Sequence, residues 1–269
     1  MTSRFRGVAA GVAFVLAVAC TAAAQQVDIR LDPAVAKEAM TGRVFVFFAG
    51  SAGREPRLQA GSYGGSIPFF GLDVEAWAPG ATATIDAKTL GYPYESLAQV
   101  PAGEYYVQAL LNVYTKFTRA DGHIVWLHDD QWEGQRFNAS PGNIVSAVTK
   151  VRFDPNSKTP FVLTLSKVLP PVQVPPDTRW VKRIKIKSEM LSKFWGHPMY
   201  IGATVLLPKG FDEEVNRRYP AIYIQGHFGL GAPFGFTEQI IGSETPEQRE
   251  ARLKRSSREP GWQLARDWM

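Results

Sequence analysis

From residue 42 to residue 165 the chain alternates apolar and polar positions in short runs divided by Gly, Pro and Asp. Residues 43–48 form the clearest run, and Gly50, Ser51 and Gly53 break it. Residues 82–86, 104–110, 143–148 and 160–165 repeat the pattern. Period-two runs punctuated by turn residues predict the strands of an antiparallel β-sandwich. No spacing of three and four residues is sustained there, so no helix is expected in that half. Residues 168–176 then carry Pro170, Pro171, Pro175 and Pro176. A stretch so rich in proline stays extended and stiff, which marks a linker. Beyond it the pattern changes. Residues 180–187 alternate apolar and basic, residues 199–207 read as a second strand, and residues 219–226 are nearly all apolar, as in a strand covered on both faces. Thr245, Pro246 and Gln248 have the spacing of a capping box opening a helix. Strands followed by a helix predict an α/β arrangement for this second part.

The first residues have a different pattern. Arg4 and Arg6 precede an apolar run over residues 8–19, and small residues lead up to Ala24. That layout predicts a secretory signal peptide cut near Ala24. The run falls short of the roughly 20 residues a membrane-spanning helix needs. Cys20 is the chain's only cysteine, and residues 17–20 approach a lipobox, so lipid attachment through Cys20 is the alternative reading. One cysteine permits no internal disulfide, which leaves stability to a packed core. The expected organisation is a signal peptide over 1–24, a β-sandwich over 25–167, a linker over 168–178 and a second unit over 179–269. The expected location is the periplasm or the exterior.

Composition narrows the possibilities. A hydrophobic fraction of 45% with 12% aromatics suits a packed core rather than a disordered chain. The net charge of +5 is partly carried by the leader and by residues 249–258, and no segment interleaves basic and aromatic residues on one face. A nucleic-acid partner is therefore not expected. No cofactor is expected either.

The second part carries a resemblance. An apolar strand leads into Leu207, Pro208, Gly210, Phe211 and Asp212. Arg218, Tyr219 and Pro220 then precede an apolar run ending at Gly226 and His227. This block resembles the secreted esterases of the α/β-hydrolase fold that include enterochelin esterases, S-formylglutathione hydrolases and mycolyltransferases. It covers about residues 199–229, and the family's His-Gly order stands here as Gly226 then His227. The resemblance implies an N-terminal all-β sandwich followed by the first part of an α/β-hydrolase domain. It also implies a carboxylic-ester hydrolase acting on a small ester. Gly226 and His227, with Phe228 and Gly229, would offer backbone N–H groups to an oxyanion, a donor worth about 3–4 kcal/mol in the transition state. The Gly-x-Ser-x-Gly elbow such an enzyme requires is not in the sequence. Its nearest variant surrounds Ser62, in the β-rich half and ahead of the oxyanion loop, where it reads as a glycine-rich loop. On this reading the chain is an N-terminal fragment without the nucleophile, acid or base, and inactive alone.

Two other constellations bear on function. His123 and His128 lie near Asp121, Asp129, Asp130 and Glu133. A zinc site needs three or four convergent ligands, and positions five apart on a strand face opposite ways. Asp121 and Gly122 read as a hairpin turn, so no metal is expected. The aromatics Tyr105, Tyr106, Tyr114, Phe117, Trp126 and Trp132 cluster in the same half, either to fill the core or to stack on sugar rings. Residues 194–196 read as a packing turn. The second functional reading is thus an exported β-sandwich module that binds carbohydrate or a cell-envelope component without catalysis.

Overall fold

The computed structural model describes residues 25–61, 66–129, 136–225, 229–238, 244–255 and Trp268. Residues 1–24, including Cys20, lie outside them. Ten strands form one continuous hydrogen-bonded sheet: β1 (Val27–Leu31), β2 (Met40–Ala49), β3 (Phe69–Trp77), β4 (Thr82–Ile85), β5 (Gly91–Tyr92), β6 (Gly103–Thr118), β7 (Ile124–His128), β8 (Ile144–Ser146), β9 (Thr149–Phe153) and β10 (Phe161–Val168). The spatial order is β4-β1-β10-β8-β6-β2-β3-β5, with β7 and β9 also paired to β6. All pairs are antiparallel except β1 with β10, so the antiparallel expectation is corrected to a mixed sheet.

The sheet curls because its inner face is apolar along nearly its whole width. Val44, Val46 and Phe48 of β2 meet Val107, Ala109 and Leu111 of β6, Ile29 and Leu31 of β1, and Leu163 and Leu165 of β10. Strands near opposite ends of the order, β4 and β3, supply Ile85 and Phe70 to this same core. Phe48 is its hub, edge-on to Phe70, Tyr105 and Phe153 at centroid distances of 6.0, 5.8 and 5.4 Å. Full burial of each such ring contributes about 1.5–3 kcal/mol before packing effects. Gly42 lets β2 approach β6 closely, since a Cβ there would stand 2.2 Å from the Asn112 carbonyl oxygen.

A second, two-stranded antiparallel sheet follows: β11 (Val181–Lys187) and β12 (Tyr200–Leu206), joined through the helix α1 (Glu189–Trp195). Residues 194–196 were expected to be a turn. They instead end α1, with Gly196 at φ 75° as its left-handed C-cap. The capping box is present as read: Gln248 N–H donates to Thr245 Oγ1 at 3.2 Å and Thr245 N–H to Gln248 Oε1 at 3.0 Å, opening α2 (Pro246–Arg255). The small core here consists of Trp180, Val181 and Phe236.

The α/β-hydrolase expectation is overturned by this part of the chain. That fold needs parallel strands joined by crossover helices. Here β11 and β12 are antiparallel, and the two α-helices of the described residues are short. The strand expected over residues 219–226 is not formed in the described residues 219–225, where Ile222 and Tyr223 are 84% and 94% exposed. What stands is the coarser statement, a curled multi-strand sheet followed by short helices.

Candidate ligand-binding face

Alternate residues of β6 face away from the main core. Gln108, Leu110, Asn112, Tyr114 and Lys116 share this outer side, and pairing brings partners onto it. Arg43 of β2 lies opposite Asn112, Asp73 of β3 opposite Arg43, His128 of β7 opposite Tyr114, and Trp126 opposite Lys116. Four strands thus present a row of planar and charged side chains on one face.

One end of the row is covered. Phe137 lies 4.9 Å from Phe45 between ring centroids, over a patch that includes Phe47 and Leu110. Beneath the covering loops runs a satisfied polar network. The Gln108 amide donates to Glu55 Oε2 at 2.8 Å and to the Ser146 carbonyl at 3.2 Å. Arg57 donates to Glu55 at 2.8 Å and also to the Asn138 carbonyl. The hydrogen bond from Arg57 holds the Glu55 carboxyl below the usual carboxylate range, against the opposing effect of its partial burial.

The other end is open. Trp126 is 45% exposed. The Arg43 guanidinium donates to Asp73 Oδ1 at 2.8 Å and to the Gly71 carbonyl at 3.0 Å, and lies 5.6 Å from the Phe45 ring centre. Gly71 leaves room for this, since a Cβ would stand 2.8 Å from Arg43 Nε. Burial, then the charge of Asp73, pushes the Tyr114 phenol up, so it remains a neutral hydroxyl. The Asn112 amide is oriented by its neighbours. Val113 N–H donates to Asn143 Oδ1 at 2.9 Å, which makes the Asn143 nitrogen a donor to Asn112 Oδ1 at 3.2 Å. The His128 Nδ1 is 3.0 Å from that same oxygen, and an acceptor there requires Nδ1 to carry its proton. Asn112 is therefore left with its Nδ2 as a donor.

Of the aromatics singled out from sequence, Tyr105 joins the inner core and Phe117 packs 5.8 Å from Trp195. Tyr106 sits half-buried on β6, Tyr114 and Trp126 share the open face, and Trp132 lies outside the described residues. Sequence reasoning missed Arg43, Asp73 and Asn112. Their only signal was a charged or amide side chain in the outward phase of an apolar strand. His123 lies in the β6–β7 turn, at Asp121 and Gly122 as expected. Among the described residues no group of three His, Cys, Asp or Glu side chains is placed to hold a metal.

The catalytic reading finds no support in this geometry. Gly226, His227 and Phe228 lie outside the described residues, as does Ser62. One serine does stand between a strand and a helix, Ser188 between β11 and α1. Its backbone is ordinary extended chain, and its hydroxyl accepts from Leu191 N–H as the helix N-cap. No nucleophile elbow occurs among the described residues. His197, nearby in sequence, is an exposed residue whose ring nitrogen lies 3.4 Å from the next carbonyl. A shallow cavity of about 400 Å³ along α2 is lined by Glu244, Pro246, Arg249, Glu250 and Leu253, and it contains no nucleophile.

The chain matches no protein-family model, no curated protein and no solved structure. The esterase resemblance is thereby overturned, and with it the ester-hydrolase activity. Among the described residues no helix is long and apolar enough to cross a membrane.

Proposed function

We propose that this chain is an exported module that binds carbohydrate or a comparable hydroxyl-rich component of the cell envelope, without catalysing a reaction on it. Its binding unit spans residues 25–167, after a signal peptide over 1–24 and before a proline-rich linker over 168–178. The observation that carries this reading is the row of Trp126, Tyr114, Asn112, Arg43 and Asp73 on one face of the sheet, exposed at its Trp126 and Asp73 ends. A sugar ring has an apolar C–H face and a rim of hydroxyls. It requires an aromatic surface beside fixed donors and acceptors. Trp126 supplies the surface, the Asn112 amide and Arg43 the donors, Asp73 the acceptor, and Tyr114 either role.

The test is retention on a panel of xylan, mixed-linkage β-glucan, mannan and peptidoglycan sacculi, measured by affinity electrophoresis or pelleting. The mature chain is expected to be retained by at least one, and Trp126→Ala to weaken that retention about tenfold or more. Absence of retention on every polysaccharide, or equal retention by the variant, overturns the reading.

A further inference from the structure

We infer that this face takes an internal stretch of a linear polysaccharide, laid along β6 and leaving across β2 and β3, rather than a single sugar or a chain end. The inference rests on the binding reading above and concerns the shape of the ligand. Its first support is distance. Trp126 pairs with Lys116, four positions along β6 from Asn112, which at strand rise is about 13 Å. From Asn112 the row turns across two strand spacings, through Arg43 to Asp73, about another 10 Å. One sugar ring cannot touch both the indole and the Asn112–Arg43–Asp73 group.

The second support is the route. Straight continuation along β6 past Asn112 is blocked, because Phe137 sits on Phe45 and the loop carrying Asn138 is tied to Arg57. The path therefore bends over Arg43 to Asp73, whose carboxylate is largely exposed. At its other end Trp126 and Ile124 are both exposed near the hairpin tip. Both ends of the path reach solvent, as a continuing chain requires and a terminal residue does not. The third support is the fixed amide at the bend. Asn112 is 5% exposed and its carbonyl oxygen is held by Asn143 and His128, which orients its Nδ2 as a donor. At the bend it is placed to donate to a hydroxyl of the bound chain. Asp73 meets Arg43 through Oδ1, which leaves Oδ2 as an acceptor beyond the bend.

The experiment uses the polysaccharide that retains the mature chain in the panel above, with its own oligosaccharides of one to six residues as competitors, measured by calorimetry. The monosaccharide is expected not to compete. Affinity is expected to rise about tenfold or more from the dimer to the tetramer and then level off. Borohydride reduction of the chain end should leave the longer oligomers unaffected. Asp73→Ala should lower affinity for the tetramer by a larger factor than for the dimer. Trp126→Ala should flatten the dependence on length. A monosaccharide that competes as well as the tetramer, or loss of binding on end reduction, overturns the inference while leaving the binding reading intact. Failure of every polysaccharide to retain the chain overturns both.

Discussion

The ten-stranded sheet and the β11–β12 region are built from similar proportions of apolar residues but bury them very differently. In the first, each long strand sends alternate residues into one continuous core, and β2 contributes Val44, Val46 and Phe48 with no exposure at all. In the second, Ile184, Ile186 and Ile201 stay exposed on one side of two paired strands, with Met190 of α1 85% exposed nearby. Apolar content alone therefore does not make a core. A two-stranded pair has too little width to enclose one, whereas a wide sheet that curls covers itself. The global stability of the chain resides in the first region. The second holds together by local devices: the Ser188 cap, the Gly196 terminus, the Trp268 indole donating to the Leu207 carbonyl at 2.6 Å, and its docking on the β6–β7 hairpin.

The sharpest way to break this comparison is to cut one ring from each core. Phe48→Ala is expected to cost about 3–5 kcal/mol in chemical denaturation of the main sheet. Trp180→Ala should leave that transition in place and accelerate hydrogen exchange only in β11 and β12. Equal loss in both would mean one cooperative unit. Next in size, Gly42→Ala forces a Cβ against the Asn112 carbonyl and is expected to cost about 1–3 kcal/mol, read from the same denaturation midpoint.

Smaller effects probe the seam. The Arg119 guanidinium lies 4.6 Å from the Phe194 ring centre, beside Ala120 N–H donating to the Phe194 carbonyl at 3.1 Å. Arg119→Ala should cost about 0.5–1 kcal/mol, visible as faster exchange in α1 with the main transition unmoved. The smallest effect concerns acid. The Glu55 carboxyl is held below its ordinary range in the folded chain, so its contribution is complete above the unfolded value and fades as pH falls through the folded one. Denaturation across mild acid should show a slightly flatter stability profile for Glu55→Gln, and a steeper one sinks the assignment.

The strands with clean alternation were legible in sequence. Residues 43–48 and 82–86 map onto β2 and β4, and the basic alternation onto β11. Strand β3 was missed although Phe70, Leu72 and Val74 alternate with Gly71, Asp73 and Glu75 in the period of two that a strand demands. Gly71 is small because Phe45 and Arg43 occupy the space beside it, a reason that exists only after pairing. The far half of β6 was missed because residues 114–118 are mostly polar. The parallel match of β1 to β10 joins residues more than 130 positions apart and leaves no local trace. Over residues 219–225 the difference runs the other way: the apolar run implies a cover that the described chain does not supply. The candidate face was half legible: Trp126 and Tyr114 were named as aromatics. Asp73, Arg43 and Asn112 become neighbours only through the register of three strands.

The length of β6 has a consequence for how the chain can change. Its outer segment is a two-sided arm: Phe117 faces Trp195 while Lys116 and Trp126 take the opposite side. Removing one residue between Val113 and Phe117 would turn the whole arm over, as a period of two demands. The row that docks on Trp195 and the row proposed to bind carbohydrate would trade places in a single event, with the main core untouched. Insertions and deletions in that short stretch are therefore tolerable only in pairs.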